Sequence, residues 1–232
     1  MCGRYASFRQ AQELADIFEI DVVSPVAAQL PPSWNVAPTQ AARIVREEAP
    51  RGELLRILDA ARWGLIPSWA KDEKIGSRMI NARSETITEK PSFRGPVRYS
   101  RCVVPVEGYY EWQAVEGRRA KTPFYLHAAD GGPLMLAGVT SLWRDELLTY
   151  SIATRNSEGN LADLHDREPV MLTPDLVAPW LNPSLRDPAE VAELLRQPRP
   201  QVALHEVSTM VNAPRNNTPS LIEPLISTPP LA

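Results

Sequence analysis

The spacing of apolar residues changes character near residue 100. In the first part, residues 8–19 place Phe8, Leu14, Ile17 and Phe18 at helical intervals, which predicts one early helix. Residues 41–48 and 54–62 read as strands, and the proline-rich stretch from Val22 to Pro38 reads as an irregular connection. From Arg101 onward the pattern is β-rich, with strands predicted at 101–106, 109–115, 122–128, 133–139 and 147–154. Glu116-Gly117 turns one of these into the next, a hairpin whose tip carries Arg118, Arg119 and Lys121. Helical signals return late. Thr173-Pro174-Asp175 offers an N-cap followed by Pro at the first helical position, opening a helix to Leu181. Asp187-Pro188-Ala189-Glu190 repeats the signal for residues 188–196, and 202–208 reads as a final strand. No repeat, low-complexity run or linker divides residues 1–232, so the expectation is one α+β domain on a mixed, strongly bent sheet.

Composition adds limits rather than direction. A hydrophobic fraction of 44% supports a sizeable core, and the 23 prolines suit short strands joined by turns. No apolar run approaches the roughly 20 residues of a membrane span, and no basic-then-apolar leader opens the chain, so a cytoplasmic protein without membrane association is expected. Two cysteines, Cys2 and Cys102, are too few for a secreted disulfide framework, and a bridge between them would consume a reactive thiol. The net charge of −3 does not advertise a nucleic-acid binder. Arginines at 4, 83, 101, 118 and 119, with Lys121, nevertheless leave room for a local basic groove.

The second residue carries the strongest chemical hint. A side chain as small as that of Cys2 permits removal of Met1, which leaves an α-amine and a thiol on adjacent atoms. With reference pKa values of about 8 and about 8.5, the pair suits attack on an acyl group or capture of an aldehyde as a five-membered thiazolidine. Three further segments pack polar groups between apolar ones. In Ile80-Asn81-Ala82-Arg83-Ser84-Glu85-Thr86, Asn81 offers donors and an acceptor and Arg83 a fork for phosphate; taken alone, however, the segment reads as an ordinary turn into a short helix. In Glu107-Gly108-Tyr109-Tyr110-Glu111-Trp112, strand alternation sets Tyr109 and Glu111 on one face, Tyr110 and Trp112 on the other. Glu111 is then either a desolvated acid–base group or a half-exposed partner of an arginine. In Leu164-His165-Asp166-Arg167-Glu168-Pro169, His165 has charged neighbours able to set its tautomer, whereas His127 and His205 read as structural. No two of the cysteines and histidines share zinc-like spacing, so no metal or other cofactor is expected.

These segments together resemble the SRAP (SOS response-associated peptidase) family. The matching stretches are Met1-Cys2-Gly3-Arg4, Asn35-Val36-Ala37-Pro38-Thr39, Trp63-Gly64-Leu65-Ile66-Pro67-Ser68-Trp69, residues 81–86, Arg101-Cys102-Val103-Val104-Pro105, residues 108–112 and residues 165–169, with a weaker echo at Val207–Asn212. The resemblance implies an α+β fold: a single compact domain with a bent, barrel-like, mostly antiparallel sheet and flanking short helices. It implies a DNA-damage function, in which Cys2 crosslinks to abasic sites in single-stranded DNA and protects the strand from cleavage. Asn81 would orient Cys2 and the opened sugar, Glu111 would shuttle protons at the amine, and His165 would act on the sugar ring oxygen. Arg4, Arg83 and Thr154 would hold phosphates or the sugar, and Trp69 would stack or wedge beside the abasic gap. Some members carry a second aromatic next to that position, where this chain has Ala70. The expected partner is single-stranded DNA bound by a monomer in the cytoplasm, associated with the nucleoid after damage. Two rival readings stand beside it: a cysteine hydrolase or autopeptidase using Cys2, His165 and Glu111, and a single-strand-binding module without covalent chemistry.

Overall fold

The alternation in the second half of the chain builds two facing sheets. In the computed structural model, which describes residues 2–49, 52–117 and 120–225, the strands in chain order are β1 (Tyr5–Ser7), β2 (Val22–Val23), β3 (Ser33–Val36), β4 (Ala41–Glu48), β5 (Leu55–Trp63), β6 (Asn81–Arg83), β7 (Arg101–Val106), β8 (Gly108–Gln113), β9 (Thr122–Ala128), β10 (Leu134–Trp143), β11 (Leu147–Asn156), β12 (Arg167–Pro169), β13 (Met171–Leu172) and β14 (Val202–Glu206). The helices are α1 (Ala11–Phe18), α2 (Pro25–Gln29), α3 (Pro96–Tyr99), α4 (Pro174–Leu181) and α5 (Pro188–Leu194). One sheet has the order β14-β9-β8-β1-β3. The other runs β12-β11-β10-β7-β4-β5-β2, with β6 alongside β11. Because β5 also pairs with β11, the path β11-β10-β7-β4-β5 closes on itself. Most pairings are antiparallel; β2–β5, β5–β11 and β6–β11 are parallel. This is the α+β, single compact domain that the sequence predicts.

Strand alternation decides which residues fill which layer. Along β7, Cys102, Val104 and Val106 enter the core between the sheets, while Val103 faces the opposite way. Tyr5, Trp63, Tyr109, Leu126, Tyr150 and Ile152 complete the inter-sheet core. The second core lies under the helices, where Leu14 and Phe18 of α1, Val177 and Trp180 of α4 and Val191 of α5 are buried. Removing each of these large side chains from water stabilises the fold by about 1.5–3 kcal/mol. A third cluster covers the outer face of the first sheet, with Tyr110 and Tyr125 packed under Val207, Val211 and Leu221. None of the described helices is long and apolar enough to cross a membrane.

Several boundaries differ from the sequence expectations. The early helix begins at Ala11 rather than residue 8, because Gln10 caps it with Glu13 reaching back to the Gln10 amide at 2.9 Å. Phe8 instead stacks on Trp34 with ring centroids 5.4 Å apart, and Ile17 is exposed. The stretch 22–38 is not irregular: it holds β2, α2 and β3, with Ser24 accepting from the Ala27 amide at 3.2 Å to cap α2. Residues 81–83 form a strand rather than a turn into a helix. Arg101 is not free to serve a basic groove; it is buried and donates to the carbonyls of Trp180, Val97 and Asn182. Asp187 caps α5 as its spacing predicts, accepting from the amides of Ala189 and Glu190. Arg118 and Arg119 of the hairpin tip lie outside the described residues.

Candidate active site

The site is assembled where the two sheets open. On the first sheet, β1 pairs with β8 through Tyr5 and Tyr109, and the Tyr110 amide donates to the Arg4 carbonyl at 2.9 Å. That pairing carries the residues ahead of Tyr5 along β8, and Cys2 is fully buried among the inter-sheet residues. On the second sheet, β6 runs parallel to β11 with Asn81 beside Ile152, Ala82 beside Ala153 and Arg83 beside Thr154. Ile152 faces the first sheet and Ala82 and Ala153 face the helices, so Asn81, Arg83 and Thr154 share the inter-sheet face. The gap is closed by one hydrogen bond: Asn81 Nδ2 donates to the Cys2 carbonyl at 2.8 Å. The other amide atom of Asn81, Oδ1, is buried with no hydrogen-bond partner among the described residues.

Glu111 is set by the alternation of β8. Tyr109 belongs to the inter-sheet core and Tyr110 to the outer cluster, so Glu111 faces inward, and it is only 4% exposed. Burial pushes the Cys2 thiol far above its ordinary value, and the negative charge of Glu111 adds to the shift. Neither Cys2 nor Cys102 is in a disulfide. Two residues beyond Glu111, Gln113 Nε2 donates to the Asp163 carbonyl at 2.8 Å and ties the end of β8 to the turn that presents His165. His165 Nδ1 lies 2.9 Å from the Arg167 amide nitrogen and 2.7 Å from Asp166 Oδ1. One nitrogen cannot serve both at once: unprotonated it accepts from the Arg167 amide, protonated it donates to Asp166. Each protonation state of His165 therefore has a partner in place.

Beside this cluster stands Arg167, the first residue of β12. Its guanidinium donates to both carboxylate oxygens of Glu85, at 2.6 and 2.9 Å, and to the Thr154 carbonyl at 2.6 Å. The Arg167 hydrogen bond holds the Glu85 carboxyl below the usual carboxylate range. Arg83 is exposed on the same row as Thr154. Arg4 is differently placed. It donates from Nη1 to Asn35 Oδ1 at 2.8 Å and to the Val211 carbonyl at 2.9 Å, with its guanidinium 6.0 Å from the ring centroid of Trp112. Asn35 in turn donates to the carbonyls of Val211, Ala213 and Asn216, so this network fastens the C-terminal segment across β1 and β3.

The fold thus brings Cys2, Asn81 and Glu111 together, and Gln113, two residues beyond Glu111, bonds the turn that precedes His165. Arg83 and Thr154 lie on the adjoining row. Trp69 stands apart: it is 59% exposed and lines a groove that contains none of Cys2, Asn81, Glu111 or His165. Next to it, Ala70 accepts from Trp143 Nε1 at 2.8 Å. Sequence reasoning assigned nothing to Arg167, Glu85, Gln113 or Asn35. Arg167 lay within the His165 segment and Asn35 within the 35–39 stretch that carries the family resemblance, whereas Gln113 carried no local signal.

Comparison with known proteins identifies the family and the fold. Residues 1–214 match the family described as SOS response associated peptidase (SRAP). The chain is 39% identical over 229 residues to the abasic site processing protein YoqW of Bacillus subtilis, covering 96% of this chain and 99% of that protein. It is 33% identical over 204 residues to the abasic site processing protein HMCES of Pongo abelii, covering 73% of this chain and 57% of that protein. Among solved structures, a protein from Bacteroides thetaiotaomicron superposes with a TM-score of 0.81 at 27% identity, over 97% of this chain and 100% of that one. A phage-related protein from Bordetella bronchiseptica gives 0.66 at 29% identity, over 89% and 94%. The chain belongs to the SOS response associated peptidase family.

Proposed function

We propose that this protein processes abasic sites in single-stranded DNA by forming a covalent thiazolidine through Cys2 once Met1 has been removed. An abasic sugar is a closed hemiacetal in equilibrium with an open aldehyde. His165 moves a proton at the ring oxygen and promotes opening. Glu111 takes a proton from the Cys2 ammonium, and the freed amine adds to the aldehyde carbon while Glu111 returns that proton to the carbonyl oxygen. Loss of one water gives the imine, and the proton released from nitrogen returns to Glu111. Assistance of this kind is worth about 10²–10⁴ in rate. The thiol sulfur finally adds to the imine carbon, and the thiol proton ends on nitrogen, closing the ring. A thiol kept protonated by burial suits that last step, since it brings its own proton. With no imine left, neither hydrolysis nor β-elimination and strand cleavage has its starting point.

The observation that carries this reading is the Asn81–Cys2 hydrogen bond, which fixes the residue bearing both nucleophiles beside an inward-facing carboxylate. Holding the reacting groups in one frame contributes about 7–11 kcal/mol in well-oriented cases. The substrate class is supported by the relatives, which are abasic site processing proteins. The test is the intact mass of the adduct with an oligonucleotide carrying one abasic site. The expected mass is protein without Met1, plus DNA, minus one water, unchanged by borohydride. An adduct that borohydride increases by two hydrogens is an imine and contradicts thiazolidine closure. Repeated cleavage of a peptide in the absence of DNA would instead favour the hydrolase reading.

A further inference from the structure

We infer that Arg199, anchored by the buried carboxylate of Glu168, is a positioning residue for His165: it holds the loop that presents the imidazole to the abasic sugar. The inference rests on the reading of His165 as the residue that opens the ring, and assigns what keeps that side chain in place. His165 lies on the connection 157–166 between β11 and β12, whose regular structure is a single 3-10 turn, Gly159–Leu161. A surface connection of this kind moves on its own unless side chains tie it to the sheets. Its internal hydrogen bonds run from the Ser157 amide to the Asp166 carbonyl at 3.0 Å and from the His165 amide to the Leu161 carbonyl at 3.1 Å. These bonds set the shape of the loop but not its place on the molecule.

Glu168 supplies the anchor. It follows His165 by three residues, stands opposite Arg155 in the β11–β12 ladder and is 1% exposed. A carboxylate so deeply buried is kept only where cations meet it. Oε1 accepts from Arg155 Nε at 2.9 Å, and Oε2 lies 3.3 Å from Arg199 Nε. Arg155 also donates to the Gln197 carbonyl at 2.6 Å, two residues before Arg199, which fixes the segment that Arg199 springs from. The rest of the Arg199 fork points at the loop: Nη2 donates to the Glu158 carbonyl at 3.2 Å and to Asn160 Oδ1 at 3.1 Å. An ion pair serving the fold alone is complete at Glu168; the two further bonds reach the 3-10 turn from which the chain climbs to His165. The anchor also adjoins the cysteine site. Burial raises the pKa of the Tyr109 phenol, negative charge on Cys2, Glu111 and Glu168 raises it further, and Arg199 lowers it. A misplacement of about 1 Å at a reacting group can cost about 10²-fold in rate, so a loop left to drift would forfeit much of what His165 contributes.

The test is single-turnover crosslinking by full-length protein with two oligonucleotides, one carrying a natural abasic site and one an aldehyde that cannot close into a ring. Arg199→Ala is expected to slow the natural site roughly 10- to 100-fold and to leave the ring-incapable aldehyde within about twofold of wild type. Arg199→Lys keeps a cation beside Glu168 but has no fork to reach the loop as well, so it stays slow on the natural site. Added to His165→Ala, Arg199→Ala causes no further loss, because the two side chains act as one unit. Where Arg199→Ala lowers the yield of folded protein, Asn160→Ala at an exposed position removes the loop end of the tie alone. It is expected to slow the natural site about 2- to 10-fold. An unchanged natural-site rate in these variants, equal slowing of both substrates, full recovery with Arg199→Lys, or slowing that adds to that of His165→Ala overturns the inference. His165→Ala that crosslinks the natural site at the wild-type rate contradicts the ring-opening reading itself, and the inference falls with it.

Discussion

A thiol whose ionisation is suppressed by burial is a poor first nucleophile near neutral pH. Both cysteines of this chain are of that kind, with burial the leading cause in each. What separates them is the α-amine that Met1 removal leaves on Cys2. In a Cys2→Ala protein at about pH 8, close to the ordinary thiol pKa, the remaining Cys102 should resist alkylation until the protein is unfolded. The sign follows from its raised pKa: at fixed pH less thiolate is present than in the unfolded chain. Rapid labelling of the native protein would contradict it. Asn81→Ala removes the clamp on the Cys2 carbonyl, and a lost hydrogen bond of about 1–3 kcal/mol should slow crosslinking by roughly 5- to 150-fold in a single-turnover time course. His165→Ala should retard reaction with a natural abasic site yet barely change reaction with an aldehyde that cannot close into a ring. Equal slowing of both substrates would remove the ring-opening role. At this scale the shared face of Tyr109 and Glu111 was legible from strand alternation, but that this face points inward follows only from the packing of Tyr109 between the sheets. The contacts of Arg4 were not, since Asn35 and Val211 reach it only through tertiary packing.

The elements that hold the site are the short ones. β4, β7 and β9 span the residues their patterns predict, because apolar-centred runs of six to eight residues with little exposure read as buried strands. β1 and β6 have three residues each and owe their form to partners far along the chain, β8 and β11. No local pattern encodes such pairing. The delivery of β6 also depends on Gly64 and Gly76. Gly64 has φ +116°, and a Cβ there would sit 2.5 Å from the Gly76 carbonyl oxygen. Just beyond, the Leu65 amide donates to the Met79 carbonyl at 3.1 Å, two residues before Asn81. Gly64→Ala should therefore destabilise the fold by about 2–4 kcal/mol through backbone strain and overpacking. Chemical denaturation checks the value, and a loss under about 0.5 kcal/mol, the size of a neutral surface change, would show that the contact yields easily.

At the scale of the whole molecule, the closed circuit β11-β10-β7-β4-β5 gives a rigid frame, and the first sheet lies against it with the site at their junction. The net charge of −3 hides this arrangement, because many arginines are engaged internally: Arg101 with carbonyls, Arg155 with Glu168 at 2.9 Å, Arg56 with Glu47 at 2.9 Å. Affinity for DNA should accordingly depend on a few side chains rather than on overall charge. Arg83→Ala is expected to reduce the salt dependence of reversible single-strand binding by about one phosphate's worth, roughly 0.7 in the slope of log K against log salt. An unchanged slope would place the backbone contact elsewhere. The central claim is tested most directly by a denaturing gel of wild-type and Cys2→Ala protein, each mixed with a single strand bearing one abasic site. A heat-stable shifted band, formed without borohydride, is expected for wild type alone. A band of equal intensity with Cys2→Ala, or none with wild type, would contradict it.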